Sequence, residues 1–187
     1  MLTAHDKWLR HVERWKNCQE CPLCTQRDKI VLAKGLVPCD VLFLGEAPGI
    51  SEDTTGLPFD GPAGAKLEDI VAAVRRSVPI DFVEAYTNIV ACFPAEAKLT
   101  DNHKPTADEI EACAPRLQEF IDIASPILIV AVGQLAKDRI SKIRTSAEWC
   151  EIIHPSAILH MPMAQQGMAM RKCAVVVRDA IESALGA

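Results

Sequence analysis

Apolar residues recur at two different periods along this chain. Between Ala4 and Asn17, Trp8, Leu9, Val12 and Trp15 fall on one helical face, which predicts a helix over 4–17. Val41–Leu44 is a short apolar run bounded by Asp40 and Gly45, the pattern of a buried strand. Ala63–Val74 returns to helical spacing, and Ala85–Ala91 reads as a second strand. Thr106 and Glu109 have the spacing of a capping box and start another helix. Pro115 is expected to kink or restart it, with Leu117, Phe120, Ile121 and Ala124 continuing its apolar face. Pro126–Val132 and Trp149–Ile153 read as two more strands, ending at Gly133 and His154, and Ala174–Leu185 as a last helix. The methionine-rich stretch His160–Met170 is expected to be a flexible or packed loop.

Strands alternate with helices, so the expected class is α/β with a mostly parallel sheet. Ligands of such sheets sit beyond the carboxyl ends of the strands. Three loops leave strand ends here: GEAPG after Leu44, VGQLA after Ala131 and HPSAIL after Ile153. They are expected to converge on one pocket.

Composition narrows the class further. The chain has 187 residues and is 49% hydrophobic, enough for one domain with a real core, and no repeat or linker divides it. No apolar run approaches the roughly 20 residues of a membrane span. The N-terminus is charged from the start, so no signal peptide is expected and the cytoplasm is the expected location. The net charge of −5 argues against gripping nucleic acid by bulk electrostatics, while leaving room for a local basic face.

Eight cysteines are many for such a chain. A reducing compartment disfavours disulfides, leaving metal, cluster or buried thiols. Cys18, Cys21 and Cys24 give two overlapping CxxC pairs, and Cys39, Cys92, Cys113, Cys150 and Cys173 are the distant candidates to complete four ligands. Spacing alone does not separate zinc from iron–sulfur.

Several motifs then line up in order: CQEC at Cys18, GEAPGISEDTTGLPFDGPAG at Gly45, TNIVACFP at Thr87, EACAPRL at Glu111 and HPSAIL at His154. In combination they resemble the family 4 uracil-DNA glycosylases, the iron–sulfur branch of that superfamily, over roughly residues 18–160. The resemblance implies a three-layer sandwich with a central four-stranded parallel sheet flanked by helices, a single domain over 1–187. It implies release of uracil from DNA, leaving an abasic site. It also implies a 4Fe–4S cluster, favoured over zinc, on Cys18, Cys21, Cys92 and Cys113, with Cys24 a spare thiol. Uracil-containing DNA, single- or double-stranded, is the implied partner, and a monomer is expected.

The same resemblance assigns the pocket. Gly45, Glu46, Ala47 and Glu52 belong to the loop after the first strand, Phe59 stacks on the base and Asn88 reads its edge. His154 faces the leaving base. Apart from the resemblance, Ser156 could meet a phosphate of the DNA backbone. Chemistry supports these types. An asparagine amide can accept from uracil N3–H and donate to O4, while cytosine presents the reverse pattern. Departure of uracil as an anion gathers charge on O2, where a histidine donor lowers the barrier. Ala47 stands where an aspartate follows the Glu46 position in the best-known branch, so no base is evident there. Glu46 or Glu52 could instead stabilise an oxocarbenium-like sugar. Ile158 or Leu159 could wedge into the gap left by a flipped base.

Phe93 and His160 replace arginines usual in the family. Lys98, His103, Lys104, Arg171 and Lys172 are the cations available to compensate. Two alternatives follow. One is a catalytically weak or inactive member that acts as an iron–sulfur DNA-binding or replication-associated protein. The other is a zinc module with an unrelated pocket.

Overall fold

The computed structural model describes residues 2–94 and 104–186. Five strands form one sheet in the order β1-β3-β2-β4-β5: β1 (Ala33–Gly35), β2 (Val41–Gly45), β3 (Glu84–Asn88), β4 (Leu128–Val132) and β5 (Glu148–Ile152). The four expected strands are all parallel to one another, with Gly45 level with Asn88 and Val132 level with Ile152. The fifth, β1, runs antiparallel along the edge of β3. Its three residues are too few to show a period, so the pattern could not announce it.

Alternation along the strands builds two cores. Val41, Phe43, Val130 and Val132 point to the face covered by α3 (Pro62–Ser77) and α7 (Met163–Leu185), through Leu67, Val74, Val177 and Ile181. Leu42, Leu44, Ile129 and Ala131 point to the face covered by α4 (Ala107–Ala124) and α5 (Gln134–Ile140), through Leu117, Phe120, Ala136 and Ile140. Strands packed on both faces read as unbroken apolar runs, as β2 and β4 do.

The helix α1 (Ala4–Trp15) opens on a capping box between Thr3 and Asp6 and lies on α4. Between them His11 is fully buried, stacked on Trp8. Burial, then the charge of Arg116, lowers its pKa to about 4, so the ring is neutral.

Three sequence expectations change. α4 runs unbroken through Pro115. The capping box at its start and the apolar face beyond the proline outweigh one lost backbone hydrogen bond. Met163–Met170 of the methionine stretch forms the first turns of α7, which starts eleven residues before Ala174, at Met163. β3 ends at Asn88 rather than Ala91. Two short helices, α2 (Ile50–Thr55) and α6 (Pro155–Leu159), open the loops after β2 and β5. No helix among the described residues is long and apolar enough to cross a membrane.

Candidate active site

Parallel strands send all their carboxyl ends one way. The chain passes from β2 to β3 on one side, then crosses to β4 on the other, so a crevice opens where the strand order reverses. A cleft of about 560 Å³ lies there, lined by Glu46, Ala47, Glu52, Phe59, Asn88, Phe93, Lys104, Gly133, Gln134, His154 and Ser156. The three loops converge as their positions at strand ends imply.

Phe59 and Asn88 are packed against Gly45. A Cβ on Gly45 would stand 2.3 Å from Asn88 Oδ1 and 2.6 Å from Phe59 Cζ. Phe59 itself holds a left-handed backbone (φ 54°), a conformation a bulky residue adopts only under constraint. The constraint is visible. Lys34 Nζ donates to the Phe59 carbonyl at 3.1 Å, the ring meets Tyr86 edge-on, and Gly64 leaves room for the Phe59 carbonyl. Asn88 is buried at the end of β3, and its amide makes no hydrogen bond to a described residue. An amide on a cleft wall with no hydrogen bond to a described residue suits the edge of a ligand.

His154 caps α6. The Ser156 backbone N–H donates to His154 Nδ1 at 3.2 Å, and the Ser156 hydroxyl lies 2.7 Å from the same atom. A backbone N–H can only donate, so Nδ1 is an acceptor and the ring proton sits on Nε2. Burial lowers the His154 pKa, with Glu52 opposing more weakly, so the ring is neutral near pH 7. The result is a neutral imidazole whose Nε2–H donates to no described residue. Ser156, expected at a phosphate, is engaged by this ring.

The two glutamates differ. Glu52 is buried, and its carboxylate accepts from the N–H groups of Gly49, Asp60 and Gly61 at 2.9–3.0 Å. It clasps the two ends of the glycine-rich loop. Its neighbour Asp53 accepts from the N–H groups of Asp28 and Lys29, tying that loop to the segment after Cys24. The Glu46 carboxylate accepts no such bonds from described residues. Burial raises its pKa, with Lys104 pulling the other way.

Ile158 is fully buried in the core beneath α6, so it is no wedge; Leu159 is partly exposed. Phe93, in the place of an arginine, is a buried part of the cleft wall, and Lys104 brings a cation to the same wall. Lys98 and His103 lie outside the described residues. Arg171 and Lys172 are exposed on α7. Gly133 was missed as a site residue. Its left-handed φ of 92° turns the chain out of β4, and its missing Cβ admits the His154 ring. The signal was a lone glycine ending an apolar run, which most strands share.

Cys18, Cys21, Cys92, Cys113 and also Cys24 surround a separate small cavity, walled by Trp15, Ile30 and Ala91. All eight cysteines are free thiols. No three His, Cys, Asp or Glu side chains among the described residues are grouped as around a single metal ion. Burial raises the Cys21 pKa and pushes Cys92 up to about 11. Two guanidinium groups serve the sulfurs: Arg27 Nη1 donates to Cys92 Sγ at 3.1 Å and Arg116 Nη2 to Cys113 Sγ at 3.6 Å. Five thiols in an apolar recess, two of them with guanidinium donors, fit an anionic thiolate-bound group. Cys39, Cys150 and Cys173 lie apart, packed in or against the two cores.

Comparison with known proteins agrees with this geometry. The family model for the uracil DNA glycosylase superfamily matches residues 35–177. The chain is similar to the type-4 uracil-DNA glycosylase of Pyrobaculum aerophilum, 32% identical over 170 residues, 79% of this chain and 82% of that protein. It is similar to that of Archaeoglobus fulgidus, 28% identical over 174 residues, 80% of this chain and 82% of that protein. A third similarity, to that of Thermotoga maritima, is 37% over 127 residues, 66% of this chain and 60% of that protein.

Proposed function

We propose that this chain, which belongs to the uracil-DNA glycosylase superfamily, hydrolyses the N-glycosidic bond of deoxyuridine in DNA. The observation that carries the reading is one cleft that gathers the Asn88 amide, which makes no hydrogen bond to a described residue, an aromatic ring and a neutral histidine donor. A base inside a duplex is out of reach, so uracil must be flipped into this cleft, or arrive unpaired in a single strand. The Phe59 ring gives it a flat partner. The Asn88 amide pairs with N3–H and O4, and would leave buried groups unpaired against cytosine.

His154 then donates from Nε2 to O2 as the C–N bond breaks and negative charge collects there. The donor is already in place and neutral, so little reorganisation is needed as the charge develops. Glu46 stands on the cleft wall as a carboxylate able to stabilise the cationic sugar, which water captures. Glu52 acts one step back, by holding the loop that carries Phe59. Cys18, Cys21, Cys92 and Cys113, which line one recess, would hold a 4Fe–4S cluster, and it would cross-link the segment after α1, the segment after β3 and α4.

The test uses anaerobically purified protein and a labelled oligonucleotide carrying one uracil, single- and double-stranded, followed by alkali. Strand cleavage at the uracil is expected. Protein with full iron and sulfide that cleaves neither strand form would sink the reading and favour a DNA-binding role.

Glu46 gives a pH prediction. If it works as a carboxylate, the rate climbs as pH rises through its raised pKa. Wild type therefore shows an acidic limb above the ordinary carboxylate range, and Glu46→Gln is slower and lacks that limb. The stability sign is opposite. Ionising a carboxyl that burial disfavours costs stability, so wild type loses stability relative to Glu46→Gln as pH rises through the same pKa. A pH–rate profile and thermal unfolding of both proteins check the two halves separately. An unchanged limb in Glu46→Gln removes this residue from the reaction.

A further inference from the structure

Arg116 is among the largest fully buried side chains of the protein, only 1% exposed. Its position on α4 puts it between the two sites. One Nη2 donates to the carbonyls of Asn88 at 2.6 Å and Ile89 at 2.7 Å, and Nη1 donates to Thr87 Oγ1 at 3.0 Å. The same Nη2 reaches Cys113 Sγ at 3.6 Å. No carboxylate of a described residue pairs with it. A buried cation needs a counter-charge, and a buried arginine without a carboxylate is rare for that reason. The cysteine-lined cavity beside it, whose wall includes Arg116 itself, would become that counter-charge once its thiols are ligands to a bound cluster.

We infer that Arg116 is a positioning residue that ties the cysteine site to the base-reading end of β3, fixing the backbone of Asn88 and Ile89 while the thiolates of the cysteine site balance its charge. The inference rests on the proposed reading of uracil excision. It adds a reason for a cysteine site beside a cleft it does not enter. The thiolates hold the guanidinium, the guanidinium holds two consecutive carbonyls, and the Asn88 amide is placed by that backbone. Thr87 extends the tie, since its hydroxyl also donates to the Leu32 carbonyl beside β1. A planar fork is required. Lysine keeps the charge near Cys113, yet one ammonium cannot meet two carbonyls and a hydroxyl in this geometry.

The experiment compares the iron-loaded wild type with Arg116→Lys, Arg116→Met and Arg139→Met. Arg139 is a nearly buried guanidinium that donates to Glu111 outside the cleft, and serves as the control for losing an arginine. Each protein is measured for iron and sulfide content, for kcat and KM on uracil DNA, and for hydrogen exchange of the peptide over residues 84–94. Arg116→Lys is expected to keep its iron, exchange faster over 84–94, and lose about tenfold or more, mainly in kcat. Arg116→Met, where it folds, loses more; Arg139→Met matches wild type over that peptide. Unchanged exchange over 84–94 in Arg116→Lys overturns the inference, whatever the activity. So does an activity loss that merely follows lost iron. If the wild type releases no uracil while Arg116→Lys exchanges faster with its iron intact, the tie stands and the reading of excision falls.

Discussion

Alanine at His154 should lower the single-turnover rate of uracil release by about 10²–10³-fold, the loss seen when one donor to a developing oxyanion is removed. KM should move little, because the bond strengthens only as charge builds on the leaving base. The structure gives a specific reason to expect an effect of this size. The ring is neutral by burial, its proton is confined to Nε2 by the Ser156 N–H, and Gly133 packs under it where any Cβ would intrude. Ser156→Ala leaves the N–H in place and loses only the hydroxyl, so its loss should be much smaller. His154 also caps α6, and that part of the change appears as lower thermal stability of about 1 kcal/mol. Single-turnover assays beside thermal melts separate the two. A His154→Ala rate within a few-fold of wild type would falsify the donor role.

Two of the parallel strands were legible in the sequence, because β2 and β4 are unbroken apolar runs that stop at glycines, while the order of strands in the sheet was not. The pocket residues were legible through motif resemblance more than through physics. Phe59 alone reads as a core aromatic; only its left-handed backbone and the glycines on either side of it mark it as held in place. Glu52 and Ser156 were named for substrate, and the structure finds both engaged by the protein, one by three backbone N–H groups and one by the His154 ring. Such partners depend on how loops fold back, which no local period encodes. Ile158 looked like a wedge because it follows HPSA; its place on the inner face of a five-residue helix puts it in the core instead. Arg116 looked like one polar residue on an apolar helix. Its meaning lies in β3 and Cys113, which only the fold brings to it.

Gly45→Ala is the second large effect, and it tests the cleft as a packed object. The new methyl would lie within 2.6 Å of both the Asn88 oxygen and the Phe59 ring tip. Neither neighbour can simply move aside. Phe59 is held from behind by the Tyr86 ring, by Lys34 on its carbonyl and by the close approach of Gly64. Asn88 is held through its carbonyl by Arg116. The strand cannot retreat either, since the Gly45 carbonyl accepts from Ile89 N–H at 2.9 Å. The strain must therefore displace the base-reading amide or the stacking ring. A shift near 1 Å lowers kcat/KM by about 10²-fold, and overpacking lowers stability by about 1–3 kcal/mol. Gly49→Ala is the contrast within the same loop: its Cβ would crowd the Glu52 carboxylate, at 2.8 Å, and so strain the loop clasp, without touching the Phe59 ring or the Asn88 amide. The loss of uracil release should therefore be large for Gly45→Ala and modest for Gly49→Ala at similar stability. If the two variants are equally active, Gly45 is a turn-former only, and Phe59 and Asn88 are not the walls that grip the base.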